Sequence, residues 1–164
     1  MIRPACQTEF QELALLHVAS WRDAYAGILP EEFLEKLSVE ERSVMWEKSL
    51  SSSEIKVLLH FDEGLLVGFA AICPSRDEDG KGVGEIAAIY YRKEVWGTGL
   101  ASELMNLVQK ELLNAGFRKA SLWVLRENRR AQAFYKKFGF VADGTERKFE
   151  RDSVSFDEIR MARS

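Results

Sequence analysis

The sequence lacks the features that bring a chain into a membrane or into a disulfide-rich fold. It has two cysteines, Cys6 and Cys73, each within an apolar stretch. This number excludes a disulfide framework and predicts reduced, buried packing residues. No apolar run approaches the ~18 residues that a transmembrane helix needs, and residues 1–4 do not begin an apolar signal segment. We therefore expect a cytoplasmic protein with no membrane partner.

An excess of charge of one sign is also missing. The 164 residues include 23 Lys and Arg against 26 Asp and Glu, a formal net charge of −3. Binding to nucleic acid normally needs a basic surplus or a basic stripe, so we expect no nucleic-acid partner. Hydrophobic residues make up 46% of the chain and charged residues 30%, as in ordinary folded proteins. A chain of this length is predicted to form one domain, residues 1–164.

Hydrophobic spacing divides the first half of the chain into helices and then strands. Residues 10–25 repeat apolar side chains at steps of three and four, and further helical segments are predicted to begin at Pro30 and Ser38. Three strands are predicted next, at residues 55–61, 65–73 and 83–91. The acidic loop at 75–82 lacks the later ligands of a calcium-binding loop, so we expect a solvated hairpin connection.

The second half of the chain alternates helices and strands. A helix from Leu100 is predicted to end at Gly116, and another at residues 128–138 to end at Gly139. The predicted strands lie at 120–125, from Phe140 onward, and at 154–161, with a charged stretch at 146–152 before the last one. This order predicts a mixed α/β fold with helices on both faces of one sheet.

The most informative segment is the turn WGTGLAS at residues 96–102, between a predicted strand and the long helix. Glycines let the backbone approach a ligand closely. The first turn of a helix has unpaired N–H groups and a partial positive charge, which suit an anion such as pyrophosphate. A plain tight turn is the alternative. A Walker A loop needs a lysine before Ser102, and a Rossmann fingerprint begins directly after its strand, so neither motif fits.

At these residues the chain resembles the GCN5-related N-acetyltransferases (the GNAT family), in particular small bacterial members. The family's cofactor motif, Gln/Arg-x-x-Gly-x-Gly/Ala, is matched at 96–101, with Trp96 in place of the Gln or Arg. Residues 128–140 look like the family's Asn-x-x-Ala-x-x-Phe-Tyr-x-x-x-Gly-Phe block. The segments 2–5 and 20–30 are also similar to those of family members, so the resemblance covers nearly the whole chain.

The resemblance implies a fold and an activity. The fold is a central mixed, mostly antiparallel sheet of six to seven strands flanked by about four helices, with two parallel strands that splay apart at the cofactor site. The activity is transfer of the acetyl group of acetyl-CoA to a primary amine of a small molecule or peptide, by direct attack in a ternary complex. A non-catalytic acyl-CoA-binding or regulatory module is the alternative, and a Rossmann-type dinucleotide binder is a third possibility.

The resemblance also implies where the cofactor binds. Backbone amides of the glycine turn are expected to hold its pyrophosphate, and the open edge at residues 89–91, splayed from 122–124, to pair with its pantetheine arm. Asn128 is expected both to cap a helix and to contact this arm. The expected cofactor-binding residues are Ile89, Tyr90, Tyr91, Trp96, Gly97, Thr98, Gly99, Leu100, Ala101, Ser102, Asn128, Phe134, Tyr135 and Lys137.

Two side chains are candidates for proton transfer. Glu85 is the only charged residue of strand 83–91, and alternation predicts it on the face of Ile89 and Tyr91. A carboxylate there can take the proton of an ammonium, or only orient the substrate. Tyr135 matches the family's Phe-Tyr block and is implied to be the general acid toward the coenzyme A sulfur, with ordinary core packing as the alternative.

Trp21 and Tyr25 are candidate walls of an acceptor pocket in which Glu85 attracts a cationic amine, and an aromatic core is the alternative. His17 lies on an apolar helical face and is predicted to be a hydrogen-bonded core residue. The final strand and the charged stretch before it are a candidate homodimer edge. No cluster has metal-ligand spacing, so we expect no metal.

Overall fold

The computed structural model describes residues 1–164 and contains a single seven-stranded sheet. The strands are Ile2–Pro4 (β1), Lys56–Asp62 (β2), Leu65–Pro74 (β3), Val83–Tyr91 (β4), Lys119–Leu125 (β5), Val141–Arg151 (β6) and Val154–Arg163 (β7). The helices are Phe10–Ala24 (α1), Glu31–Glu35 (α2), Val39–Leu50 (α3), Leu100–Asn114 (α4) and Arg129–Lys137 (α5). The strand order is β1-β2-β3-β4-β5-β7-β6, and only β4 and β5 are parallel. The predicted mixed, mostly antiparallel sheet is confirmed.

Two strands differ from the sequence-based expectation. β1 was not predicted, because three residues are too few to show alternation; it forms by pairing with β2. β6 includes most of the charged stretch 146–152, which was not expected to be a strand. Its side chains are mostly exposed because β6 is an edge strand, so the usual apolar alternation is missing. The final strand, β7, is paired on both sides, so the expectation that it forms part of a homodimer edge is wrong, and only β6 with the charged stretch leaves a free edge.

The helix ends follow the sequence signals. The Ser38 hydroxyl accepts a hydrogen bond of 3.1 Å from the backbone N–H three residues on, and Asn128 Oδ1 accepts one of 3.2 Å in the same way. These two residues are therefore the N-caps of α3 and α5. Gly116 and Gly139 follow α4 and α5 with φ of +91° and +86°, the left-handed conformation that ends helices.

The sheet separates two apolar layers, as predicted. On one face, Leu104 and Val108 of α4 belong to a core cluster with Leu122 of β5, and α5 packs against the same cluster. On the other face, Leu13 of α1 clusters with Phe69 of β3 and with side chains of α3. A third cluster joins α1 and α2 to β5 and β7. We call these faces the α4 face and the α1 face.

β4 changes neighbours along its length. It pairs with β5 only where Val83–Glu85 faces Lys119–Ser121, and beyond these residues the two parallel strands separate. Its other edge stays paired with β3 as far as Tyr91, with a β-bulge at Ala87. The splay implied by the resemblance is therefore present, and one edge of β4 is unpaired from Ile86 onward.

The bulge moves Glu85 to a different face from the one predicted. Ile86 and Ile89 both pack into the core of the α4 face, although they are three residues apart, because Ala87 is the extra residue of the bulge. Glu85 therefore shares the α1 face with Tyr90, which packs against the α1 cluster. The prediction that it lies beside Ile89 is wrong, since alternation holds only while the pairing register is regular.

The cysteines and the acidic clusters complete this description. Cys73 is buried as predicted, and burial raises the pKa of its thiol to about 11. Cys6 is exposed, because it lies in the turn before a short 3₁₀ helix, so the prediction that it is buried is wrong.

No group of three or more His, Cys, Asp and Glu side chains is placed to hold a metal ion. No helix is both long and apolar enough to cross a membrane.

Candidate active site

The glycine turn before α4 presents unpaired amides to open space. Gly97 and Gly99 have φ of +78° and +95°, a conformation that favours glycine, and no atom lies within 4 Å of a Cβ built on either residue. The N–H groups of Thr98 and Ser102 donate to carbonyls of the turn itself. Four other N–H groups of the turn make no hydrogen bond within the protein: those of Gly97, Gly99, Leu100 and Ala101. Four of the six predicted amides are thus free for an anion.

The Trp96 indole holds a guanidinium beside this turn. Its Nε1–H donates to the Tyr91 carbonyl at 3.1 Å, which fixes the ring. The Arg130 guanidinium, from the first turn of α5, lies 3.5 Å from the ring centroid, a cation–π contact. Sequence reasoning missed Arg130; its one signal is its position two residues after Asn128. A guanidinium thus lies beside the turn, although Trp96 stands where the family motif has Gln or Arg.

The Tyr91 side chain belongs to the scaffold of the site. Its hydroxyl lies 2.7 Å from Nδ1 of His60 and donates to the Leu100 carbonyl at 3.0 Å. Its ring covers Gly68, where any Cβ would overlap it. Burial raises the pKa of Tyr91 well above its ordinary value. Tyr91 thus ties β4 to the start of α4, and only its backbone remains for the predicted pairing with the cofactor.

The Tyr135 side chain has features that fit both alternatives left open by the sequence. Its ring packs against Phe134 and Phe140, with centroids 5.7 Å and 6.3 Å away. Its hydroxyl makes no hydrogen bond within the protein. Burial, and then the nearby Tyr90 hydroxyl, raise the pKa of Tyr135, while Arg130 acts in the opposite sense. A phenol with a raised pKa keeps its proton at neutral pH, as a proton donor must.

The remaining predicted cofactor residues lie around this hydroxyl and the splay. Asn128 is 6% exposed, and its Oδ1 is used in capping while its Nδ2 has no partner in the protein. Ile89 and Phe134 are half-buried against the core of the α4 face. Lys137 is exposed in the last turn of α5. Asn128 therefore keeps one free donor, in line with the double role expected for it.

On the α1 face, Tyr90 belongs to a cluster of aromatic side chains from α1. The hydroxyls of Tyr25 and Tyr90 are 2.6 Å apart. The Trp21 ring meets Tyr25 edge-on at 4.9 Å, and the His17 ring lies 5.3 Å from that of Tyr90. Burial lowers the pKa of His17 well below its ordinary value, and its Nδ1 accepts a hydrogen bond from Trp46. His17 is thus the core residue that was predicted, and Trp21 and Tyr25 are packed beside the splayed strand.

The Glu85 carboxylate is occupied by Arg76. It is 2% exposed and accepts three hydrogen bonds from that residue, at 2.6 Å from Nη2, 3.2 Å from Nε and 3.0 Å from the backbone N–H. Burial raises the pKa of Glu85, but the bonds from Arg76 lower it by more, so the pKa lies below its ordinary value. A carboxylate in this state keeps its charge and takes protons poorly.

The acidic loop 75–82 is the predicted hairpin connection between β3 and β4, and most of its residues are exposed, but it is also bound to the sheet. Arg160 of β7 makes ion pairs with Asp77 at 3.2 Å and with Asp79 at 2.6 Å. The Trp123 Nε1–H also donates to Asp77. The loop crosses β5 because these partners lie on β5 and β7. No local sequence pattern predicts these contacts, because the partners are more than forty residues apart in sequence.

A second carboxylate lies close to the aromatic cluster. Glu158 of β7, opposite Leu125, accepts a hydrogen bond of 2.9 Å from Arg147. Burial above all raises the pKa of Tyr25 and of Tyr90, and the charge of Glu158 adds to both shifts. Sequence reasoning missed Glu158, because the last strand was considered only as an edge.

Replacement of Glu85 by Gln is expected to lower the free energy of unfolding by about 2 kcal/mol at pH 7, because charge-assisted hydrogen bonds contribute roughly 1.5–3 kcal/mol. The folded pKa lies below the unfolded value of ~4.3. The stability from Glu85 is therefore present above that value and lost as the pH falls through the folded pKa. Urea unfolding of both proteins at several pH values measures this difference.

The exposed Glu127, which forms no ion pair, provides the matched control Glu127→Gln, with little effect expected at any pH. A stability difference between wild type and Glu85→Gln that stays constant down to pH 3 would contradict the assigned role of the Arg76 bonds.

Comparison with known proteins agrees with this geometry. The chain matches the model of the Acetyltransferase (GNAT) family over residues 18–140. The uncharacterized N-acetyltransferase YuaI of Bacillus subtilis is 32% identical over 127 residues, which cover 77% of this chain and 72% of YuaI. The spermidine N(1)-acetyltransferase of Thermoplasma acidophilum is 28% identical over 139 residues, 80% of this chain and 83% of that protein.

A solved structure supports the fold separately. The crystal structure of the PaiA N-acetyltransferase of Thermoplasma acidophilum, in complex with coenzyme A, has a TM-score of 0.77 and covers 99% of this chain and 97% of its own. Its sequence is 24% identical, so this likeness speaks for the fold alone. The family match spans both motif blocks and most of the chain. The resemblance found in the sequence is confirmed, and the chain belongs to the GNAT acetyltransferase family.

Proposed function

We propose that this protein transfers the acetyl group of acetyl-CoA to a primary amine of a small molecule or peptide. One observation carries the proposal: the unpaired edge of β4 is followed a few residues later by the glycine turn, in which the N–H groups of Gly97, Gly99, Leu100 and Ala101 are free. The amides suit a pyrophosphate. An unpaired strand edge is a template for another extended group, here the pantetheine arm. An N–H on that edge would stabilise the oxyanion that forms on the thioester carbonyl.

In the proposed reaction the amine attacks the thioester directly. The nitrogen forms a bond to the acetyl carbon, the carbon–sulfur bond breaks, and the sulfur leaves with the electron pair. Tyr135 donates its proton to this thiolate, since its hydroxyl is unpaired and protonated at neutral pH, while the nitrogen releases a proton to water as the amide forms and the Tyr135 phenolate takes a proton back from water. Asn128 Nδ2 and the amides of the glycine turn hold the cofactor in place.

Glu85 was predicted as a base or as a group that orients the substrate, and its contacts with Arg76 favour neither role. A carboxylate held by Arg76, with a lowered pKa, is a poor proton acceptor. The amine therefore enters as the free base, or loses its proton to water. An amine of pKa near ~8 needs little help to do so, whereas one near ~10.4 needs more. Glu85 instead fixes the loop 75–82 at the edge of the site.

Arg130 supplies the cation expected near the cofactor phosphates. Replacement of Arg130 by Gln is expected to raise the Kd of acetyl-CoA about tenfold, the lower end of the effect of a charge-assisted hydrogen bond. Isothermal titration of both proteins measures it. Arg129, exposed and without an ion pair, gives the control Arg129→Gln. Equal losses of affinity in the two variants would show that only the overall charge matters.

Release of free thiol from acetyl-CoA tests the proposal, across a panel of amines, amino acids, peptides and polyamines. Spermidine belongs in the panel because a 28% identical relative is named for it. We expect amine-dependent release with an equal amount of N-acetylated product. Tight binding of coenzyme A with no release on any acceptor would favour the non-catalytic acyl-CoA-binding module. Thermal protection by NAD and none by coenzyme A would overturn both.

A further inference from the structure

Arg42 is a buried cation without an anion. Its side chain extends from α3 and the residue is 4% exposed, yet it forms no ion pair. Nη1 lies 3.1 Å from Nε2 of His17, a ring that is neutral because burial lowers its pKa, and Nη2 has no partner. An uncompensated guanidinium in the interior is unfavourable. A buried cost of this kind is relieved when an anionic group binds to the guanidinium.

A second unpaired donor lies against this guanidinium. Arg42 Cζ is 4.5 Å from the centroid of the Trp21 ring. The Trp21 Nε1–H is buried with no partner of hydrogen-bond geometry, although it lies close enough to the Tyr90 hydroxyl to lower the pKa of that phenol. Only four buried side-chain polar atoms of the protein lack a partner. Two of them, Arg42 Nη2 and Trp21 Nε1, belong to side chains that are in contact. A carboxylate has two oxygens with lone pairs for such donors.

The charges around the two donors favour an anion. Burial lowers the pKa of Arg42, and the Arg151 guanidinium at the end of β6 lowers it further. Arg151 forms no ion pair of its own. Glu158, the carboxylate near Tyr25 and Tyr90, is bonded to Arg147. The Glu41 carboxylate acts on Arg42 in the opposite sense, but the two guanidinium groups without ion pairs, those of Arg42 and Arg151, outnumber it, which favours a carboxylate over a polycation.

The donors lie next to the proposed reaction site. The Trp21 ring is 6.5 Å from that of Tyr90, which stands on the β4 edge proposed to pair with the pantetheine arm. An acceptor whose carboxylate reaches Arg42 would have its α-amine only a few bonds away, toward that edge. Both donors are buried in the free protein, so a carboxylate reaches them only when a side chain moves, such as the Trp21 ring that lies against the Arg42 guanidinium.

We propose that Arg42 and Trp21 bind the carboxylate of an amino acid, and that amino acids are the acceptor class of this enzyme. The inference rests on the proposed acetyl transfer and adds the substrate to it. The α-amine forms the new bond to the acetyl carbon and loses a proton, and the departing thiolate gains one. Polyamines, which have no carboxylate, fit this site poorly.

Matched acceptor triples test this inference: phenylalanine, phenylalaninamide and phenethylamine, and the same set built on methionine. Each triple keeps the side chain and the amine. The amide of each triple lacks the negative charge of the free acid, but its amine is readily deprotonated. A preference for the acid therefore cannot come from the pKa of the amine. We expect kcat/KM from thiol release to be at least about tenfold higher for the free acid than for either relative. Equal use of acid and amide would overturn the inference.

Arg42→Met should remove most of this preference by lowering kcat/KM for the acid about tenfold while changing it little for the amide and the amine. Trp21→Phe keeps an aromatic ring, removes only the Nε1 donor, and should act in the same direction more weakly. Arg118→Met, at an exposed arginine without an ion pair, is the matched control. Thermal unfolding checks that each variant is folded. A uniform loss for all three acceptors in the folded variants would assign a structural role to Arg42 and overturn the inference.

Binding measurements separate this inference from the proposed function. Calorimetric titration of the coenzyme A-saturated protein with the amino acids reports carboxylate binding without turnover. Binding of the acid, lost in Arg42→Met, would support the site even if no acetyl were transferred, in which case only the proposed function fails. Acetyl transfer to amines with no binding or use of any acid would overturn the site and leave the function standing. Tighter binding of an aminoalkyl phosphonate would overturn the carboxylate assignment.

Discussion

Replacement of Tyr135 by Phe is expected to lower kcat by about 100-fold, the lower end of the usual contribution of a general acid. The Kd of acetyl-CoA should stay within about twofold, because the ring that packs against Phe134 and Phe140 is retained. The physical reason is the unpaired hydroxyl, whose raised pKa keeps it protonated until the thiolate forms. Single-turnover thiol release on enzyme saturated with acetyl-CoA measures the chemical step and excludes slow product release as an explanation.

The pH profile of this variant adds a second test. In the wild type, a proton donor with a raised pKa supports the reaction to high pH, so no loss of rate from Tyr135 is expected between pH 7 and 9. In Tyr135→Phe, the thiolate must take its proton from water. A single-turnover rate equal to that of the wild type would contradict the assignment of Tyr135 as general acid.

Replacement of Gly99 by Val is expected to weaken acetyl-CoA binding about 10- to 100-fold, the range for losing charge-assisted hydrogen bonds. Gly99 has φ +95° and precedes the first residue of α4, so a β-branched side chain strains the backbone there. Either the side chain occupies the open space in front of the free amides, or the turn relaxes and moves those amides. Calorimetric titration with acetyl-CoA measures the loss.

Gly64→Val is the matched control. Gly64 has φ +83° in the hairpin between β2 and β3, and a Cβ built there also meets no atom within 4 Å. The two variants should therefore lose similar stability, of the order of 1–2 kcal/mol for a left-handed residue, while only Gly99→Val loses cofactor affinity. Equal affinity of the two variants for acetyl-CoA would contradict the placement of the phosphates at the glycine turn.

Local patterns predicted those parts of the fold and site that depend on neighbouring residues. The amides before α4 follow from Gly97 and Gly99, which give the turn its left-handed conformation within a few residues of the helix. The Asn128 cap and the aromatic spacing at Phe134 and Tyr135 are likewise properties of one helix. Helices and strands with regular apolar periodicity were found for the same reason.

The predictions failed where residues distant in sequence interact. One bulge residue, Ala87, reversed the face assigned to Glu85, and no strand pattern contains the pairing register that produces it. The ion pair of Arg76 with Glu85 and the bonds from the loop 75–82 to β5 and β7 were not predicted, because their partners lie outside the loop. Arg42 lies in a charged helical segment typical of a surface helix, and it is buried only because α1 packs over it.

Hydrogen–deuterium exchange with and without acetyl-CoA reports directly whether the cofactor binds at the glycine turn and along β4, because the amides of Gly97, Gly99, Leu100 and Ala101 have no partner in the free protein. We expect slower amide exchange in peptides covering Ile86–Tyr91 and Gly97–Ala101 when acetyl-CoA is present. In Gly99→Val at the same cofactor concentration we expect no such change. Protection confined to other parts of the chain, such as the cavity of about 530 Å³ between β3 and the end of α4, would contradict it.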